Sequence, residues 1–157
     1  MFWSFFSIDI VYVYIAGALA ASFSSTTRVL ALQVLAAFVL GKLILVKFLG
    51  LPFPKARPYQ QYHFTPVHSG LFSSINERPN SFPSGHTASL VAISIVLFVF
   101  NPVLGMLSGL CSLVTIYGRL LLGYHFFTDI LGGLVVGVVT ALLVLQLFSL
   151  YGSVVFW

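Results

Sequence analysis

Carboxylates are nearly missing from this chain: Asp9, Glu77 and Asp129 are the only three in 157 residues. Lysine and arginine add seven more charges, so fixed charge amounts to 6% of the sequence. A domain that faces water carries about 25%. So few charges cannot cover a globule of this size, which excludes a water-soluble enzyme. Three dispersed acids are also too few for a Mg²⁺ or two-metal site, so no metal and no cofactor is expected. A single cysteine, Cys111, excludes an intramolecular disulfide framework and a cysteine-based metal site. It stands in an apolar run and reads as helix packing. The net charge of +4 rests on scattered cations and forms no phosphate-tracking stripe, which excludes a nucleic-acid partner. Internal repeats and low-complexity tracts are absent too.

What the chain has is apolar length. Apolar residues make up 59% and aromatic residues 16%, which excludes disorder. A helix needs about 20 apolar residues to cross a bilayer. Five stretches qualify: about Trp3 to Phe23, Val29 to Phe48, His86 to Phe100, Val103 to Leu122 and Phe127 to Leu150. Asn101-Pro102 separates the third from the fourth, since proline cannot continue a helix. The first stretch lacks a basic segment ahead of its apolar run and reads as a retained helix rather than a signal peptide. The aromatic end, Tyr151 to Trp157, is of the interfacial kind. The expected fold is an all-α polytopic membrane bundle of about five transmembrane helices, forming one domain over 1–157.

Most of the polar chemistry lies in two places. One is the proline-rich segment from about Gly50 to Pro83, which holds Lys55, Arg57, His63, His68, Glu77 and Arg78. A non-spanning segment of this length is rarely mere linker. The other is the link between the fourth and fifth stretches, with Arg119, Tyr124, His125 and Asp129. Two spans separate these places, so both lie at the same membrane face.

His125 and Asp129 stand four residues apart, the spacing that shares a helix face. A carboxylate there can fix the imidazole tautomer and leave the other nitrogen as nucleophile or base. Gly123 allows a turn that brings Arg119 back as a forked oxyanion donor. A polar cap tying two helix ends together fits the same spacing. Ser84 is suited to N-cap the third span, with Gly85 and His86 in its first turn, where free N–H groups bind anions. An ordinary capped helix start fits those residues equally. Lys55 and Arg57 add cations on the same side, for an anion or for lipid headgroups. Together the groups suit a phosphoryl group, whose transfer relies on charge stabilisation and an in-line nucleophile.

These residues resemble the type 2 phosphatidic acid phosphatase superfamily of membrane lipid phosphatases. The family signature Lys-x6-Arg-Pro, Pro-Ser-Gly-His, Ser-Arg-x5-His-x3-Asp is matched at Pro83-Ser84-Gly85-His86. It is matched again at Gly118-Arg119 through His125 and Asp129, with glycine for the usual serine. Arg57-Pro58 ends the first part, but Gly50 occupies its lysine slot, leaving Lys47 or Lys55 for that role. Arg78-Pro79 is a rival match with Leu71 in the lysine slot. The resemblance covers about Lys42 to Leu150. It implies His125 as nucleophile through a phosphohistidine, Asp129 hydrogen-bonded to it, and His86 as general acid. It implies Arg57, Arg119, Ser84, the Gly85 backbone N–H and Lys55 or Lys47 as phosphate ligands. The family core usually has six spans against five here, which places the amino terminus on the active-site side.

The expected function is hydrolysis of a lipid phosphate or diphosphate within the bilayer, without metal, the proline-rich loop covering the headgroup. Small bacterial members act on undecaprenyl diphosphate, phosphatidylglycerophosphate or lipid A 1-phosphate. The compact chain favours the first. The family implies the inner membrane, with the site on the periplasmic face. Phosphotransfer by the same histidine, or a non-catalytic lipid-binding or transport role, are the rivals, and a vanadate haloperoxidase fits poorly. Asp9 is expensive in lipid and is expected to pair with Lys42; His63 and His68 read as interfacial loop residues.

Overall fold

The structure, a computed structural model, describes residues 10–21, 23, 27–64 and 80–155. Its helices in chain order are α1 (Ile10–Ala21), α2 (Arg28–Gly50), the short α3 (Pro58–Gln61), α4 (Gly85–Phe100), α5 (Pro102–Leu121) and α6 (Phe127–Val155). Three of these are long and apolar enough to cross a membrane: α2, α5, and α6 as far as Leu150. The other two apolar helices, α1 and α4, are shorter. The expected first span, Trp3 to Phe23, falls partly outside the described residues, as does Asp9 and hence its expected pairing with Lys42.

Local chemistry sets the boundaries. Asn101 leaves the helical conformation (φ −150°), and its side-chain oxygen accepts from the N–H groups of Val103 and Leu104 at 3.0 and 3.2 Å. Pro102 follows at the first helical position, where its missing N–H costs nothing. One dipeptide therefore ends α4 and starts α5. In α2 the α-helical hydrogen bonding gives way over Val39–Leu45 to a π-helical segment, which holds Lys42. Such segments recur at functional sites.

Helix α4 is central and packs against α2, α5 and α6; Leu90, Ile93 and Val96 are fully buried in it. The bundle is inside out relative to a soluble protein. Along α5 the buried residues include Ser108, Ser112, Thr115 and Arg119, while Leu107, Leu110, Leu113 and Leu121 are exposed. Lipid tails are as apolar as leucine, so helices there associate through close packing and internal hydrogen bonds. Ser94 of α4 supplies such bonds, its hydroxyl lying 2.8 Å from that of Ser108 and 3.1 Å from that of Ser112.

Close packing comes from α6, where Gly133 and Gly137 lie against α4. A β-carbon on Gly133 would stand 2.7 Å from the Ser84 carbonyl oxygen and 2.8 Å from the Thr87 side chain. Gly133→Val is therefore expected to cost about 1–3 kcal/mol through overpacking. It should also lower activity by moving the first turn of α4. A melting temperature in detergent equal to that of the wild type would contradict this.

Candidate active site

The carboxyl ends of α2 and α5 and the amino ends of α4 and α6 meet at one end of the bundle. The proline-rich loop is tied across them: Ser81 N–H donates to Lys55 O at 2.7 Å, and Tyr59 N–H donates to Gly123 O at 3.3 Å. Within this end lies a cavity of about 40 Å³ lined in part by Lys42, Arg57, Gly85, His86, Arg119 and His125. Internal volumes above roughly 10–15 Å³ admit a water, so this one has room for a small anion.

Each side chain arrives for a local reason. Pro58 takes the first position of α3 and restricts Arg57 to extended backbone (φ −77°, ψ 155°). The guanidinium is buried, and its Nη1 donates to the Tyr124 carbonyl at 3.3 Å. Ser84 caps α4, its hydroxyl accepting from Thr87 N–H at 3.4 Å and from the Thr87 hydroxyl at 3.0 Å. The cap leaves Gly85 and His86 in the first turn, facing the cavity. Gly123 adopts φ +69°, the left-handed conformation that glycine takes without penalty, and so turns the chain from Arg119 back to His125. The Arg119 guanidinium lies 5.0 Å from the centre of the Tyr124 ring.

His125 is held from behind. Its Nδ1 lies 3.0 Å from the Ser81 carbonyl oxygen. A carbonyl only accepts, so Nδ1 carries the proton and Nε2 keeps its lone pair for the cavity side. The Asp129 carboxylate stands 3.8 Å from Nδ1, beyond hydrogen-bond length. It accepts instead from the Ser81 hydroxyl, from Phe126 N–H at 2.8 Å and from the Lys55 ammonium at 2.5 Å. Asp129 thus steadies both the loop that orients His125 and the backbone beside it.

The residues singled out in the sequence therefore divide. Arg57, Gly85, His86, Arg119 and His125 come together around the cavity, with Asp129 directly behind. Ser84 sits below as a cap, Lys55 is engaged with Asp129 and with the Thr128 hydroxyl at 2.6 Å, and Lys47 lines a neighbouring groove. His63 is exposed, and His68 lies outside the described residues. Sequence reasoning missed two groups. Lys42 is buried on the cavity wall, its Nζ 3.4 Å from His86 Nε2 and 5.3 Å from each of the Tyr12 and Phe38 ring centres. The available signal was a lysine in the middle of an apolar span, a feature that by default marks function. The other is Ser81, whose carbonyl role carries no side-chain signature. Among the described residues no three His, Cys, Asp or Glu side chains converge to hold a divalent ion.

Burial pushes the His125 imidazole down to about 4, the Asp129 carboxylate working against it while Arg119 and Arg57 push the same way. The unfolded chain takes up this proton near 6.5 and the folded chain only near 4. Stability is therefore complete above the first value and falls as pH drops toward the second. Melting temperatures measured across that window should decline more steeply for the wild type than for His125→Gln. Parallel curves would contradict the assignment.

Fold and site define a class: a membrane-embedded helical bundle with a cationic, two-histidine pocket at one end. The chain belongs to the PAP2 superfamily, whose family model matches residues 29–152. It is 38% identical over 63 residues to Undecaprenyl-diphosphatase BcrC of Bacillus subtilis (strain 168), covering 40% of this chain and 33% of that protein. It is 28% identical over 141 residues to the Bacitracin transport permease protein BcrC of Bacillus licheniformis, covering 83% and 66%. The chain thus matches less than two thirds of the length of either relative. The crystal structure of a PAP2-type phosphatidylglycerolphosphate phosphatase from Bacillus subtilis shares the fold. Its TM-score is 0.61 at 24% identity, over 90% of this chain and 68% of that one. The chain is accordingly a multi-pass membrane protein of a lipid phosphatase family.

Proposed function

We propose that the protein hydrolyses a terminal phosphate from a membrane lipid, with a polyprenyl diphosphate as the preferred substrate, through a phosphohistidine and without a metal. One observation carries this reading: the Ser81 carbonyl holds the proton on His125 Nδ1, so the nucleophilic nitrogen is directed at a cavity that also holds His86 and three cations. Binding alone would need the cations; two placed imidazoles suit nucleophile and acid. Lys42, Arg57, Arg119 and the Gly85 N–H stabilise the equatorial oxygens. His125 Nε2 bonds to phosphorus as the bond to the leaving oxygen breaks. That oxygen keeps the electron pair and takes a proton from His86. Water, deprotonated by His86, then attacks the phosphohistidine, freeing His125 and inorganic phosphate. The diphosphate preference follows the name of the Bacillus subtilis relative, and an inner-membrane site on the extracytoplasmic face is the placement the family resemblance implies.

Detergent-purified protein supplied with EDTA is expected to release phosphate fastest from a polyprenyl diphosphate. Phosphatidylglycerophosphate and lipid A should be slower in the same panel. Phosphate appearing on a second lipid rather than in water would favour phosphotransfer. No turnover of any lipid would favour a transport role, the activity in the name of the Bacillus licheniformis relative.

A further inference from the structure

Three lysines near the site have three different environments. The Lys55 ammonium is bound to Asp129, and Lys42 is buried beside His86. Lys47 is exposed at the end of α2, and its ammonium has no hydrogen-bonding or ionic partner among the described residues. It lines a second cavity, of about 350 Å³, whose walls include Leu51 and Phe82. This groove adjoins the two-histidine cavity, since Val46, Asn80 and Pro83 line both. Asn80 is committed to the scaffold, donating to the Gly50 carbonyl and accepting from Lys55 N–H at 3.1 Å. Among the described residues, Lys47 is therefore the group in this groove with charge to offer a ligand.

We infer that the groove takes the proximal part of a lipid diphosphate, and that Lys47 holds the ester-linked phosphate while the terminal phosphate lies beside His125. The inference rests on the lipid phosphatase reading above. It follows from continuity and charge. The two phosphorus atoms of a diphosphate share one bridging oxygen, and the two cavities share one wall. A terminal phosphorus within reach of His125 Nε2 sets the ester-linked phosphate at that wall, and the apolar chain beyond it leaves along Leu51 and Phe82. When the new N–P bond forms, the bond from the terminal phosphorus to the bridging oxygen breaks. The bridging oxygen keeps the electron pair as part of a lipid monophosphate, and the Lys47 ammonium offsets the charge that develops there. A lipid monophosphate has no second phosphate to place, so Lys47 sets the preference between the two substrates. An ammonium that merely reaches a lipid headgroup region would not discriminate in this way.

The test compares farnesyl diphosphate with farnesyl monophosphate in detergent micelles, using wild type, Lys47→Gln and Lys47→Arg. The ratio of kcat/KM for diphosphate to kcat/KM for monophosphate is expected to fall about tenfold in Lys47→Gln, the size of one charge-assisted hydrogen bond. Lys47→Arg should restore it. An unchanged ratio, an equal loss on both substrates, or a Lys47→Arg variant as poor as Lys47→Gln would overturn the assignment and leave the phosphatase reading standing. A wild-type protein inactive on both substrates would instead remove the phosphatase reading itself. Lys47→Gln is exposed and should melt with the wild type; if it does not, the Lys47→Arg ratio alone decides.

Discussion

His125→Ala is expected to stop turnover, lowering kcat by roughly 10⁴-fold or more, as loss of an attacking group does. The geometry makes the expectation specific, because the nitrogen facing the cavity is the one left unprotonated by the contact at 3.0 Å with Ser81. Loss of a residue that merely ordered the loop would lower the rate far less. A covalent trap separates the two cases. In His86→Ala the acid and the later base are both missing. A substrate whose leaving group needs no proton, such as para-nitrophenyl phosphate, should still phosphorylate His125, while hydrolysis of the adduct slows. Radiolabel from that substrate should then stay on the denatured His86→Ala protein, be released by acid, and be absent from the His86→Ala, His125→Ala double variant. Label retained in the double variant would remove His125 as nucleophile.

Lys42→Met is expected to change activity and stability in opposite directions. Lys42, Arg57 and Arg119 are 7%, 6% and 4% exposed and converge on one small cavity. Collecting like charges out of water is unfavourable until an anion neutralises them. Removing one should lower kcat/KM by about 10²–10³-fold, since fixed donors aimed at developing charge are the largest single contribution in such sites. The melting temperature without phosphate should hold or rise, because methionine fills the space between Tyr12 and Phe38 without a desolvation cost. Phosphate should raise the melting temperature of the wild type by mass action and of Lys42→Met much less. Unaltered kcat/KM in this variant would remove Lys42 from the anion site.

The contrast between the lysines shows where sequence reading reached its limit. A spacing of seven residues before Arg57 led to Gly50, and the substitutes considered, Lys47 and Lys55, were those nearest in sequence. The cavity instead holds Lys42, fifteen residues before Arg57. Distance along the chain failed here because Lys42 lies inside α2, in its π-helical segment, well before the helix ends at Gly50 and the loop begins. The loop after α2 then returns to the bundle by a path that no local rule predicts. Lys55 lay within reach of the site by sequence, but the fold sets it against Asp129, where the opposite charge is closest.

The sequence by itself determined the class of solvent, the main helix boundaries and the residue types gathered at the candidate site. A chain with three carboxylates and 59% apolar residues has lipid as its solvent, because its surface cannot be covered in any other way. Helix stops at Asn101-Pro102, the cap at Ser84 and the turn at Gly123 are local, fixed by side chains and backbone conformations within a few residues. The identities of His86, Arg119 and His125 were legible for the same reason, since their spacings fall within single turns and short links. Tertiary structure alone decided which cations line the two-histidine cavity, which group holds the proton on His125, and which lysine remains outside. Those are contacts between groups such as Ser81 and His125 or Lys42 and His86, each 44 residues apart in the chain. Their geometry depends on how four helix ends and one loop pack together, a property of the whole bundle.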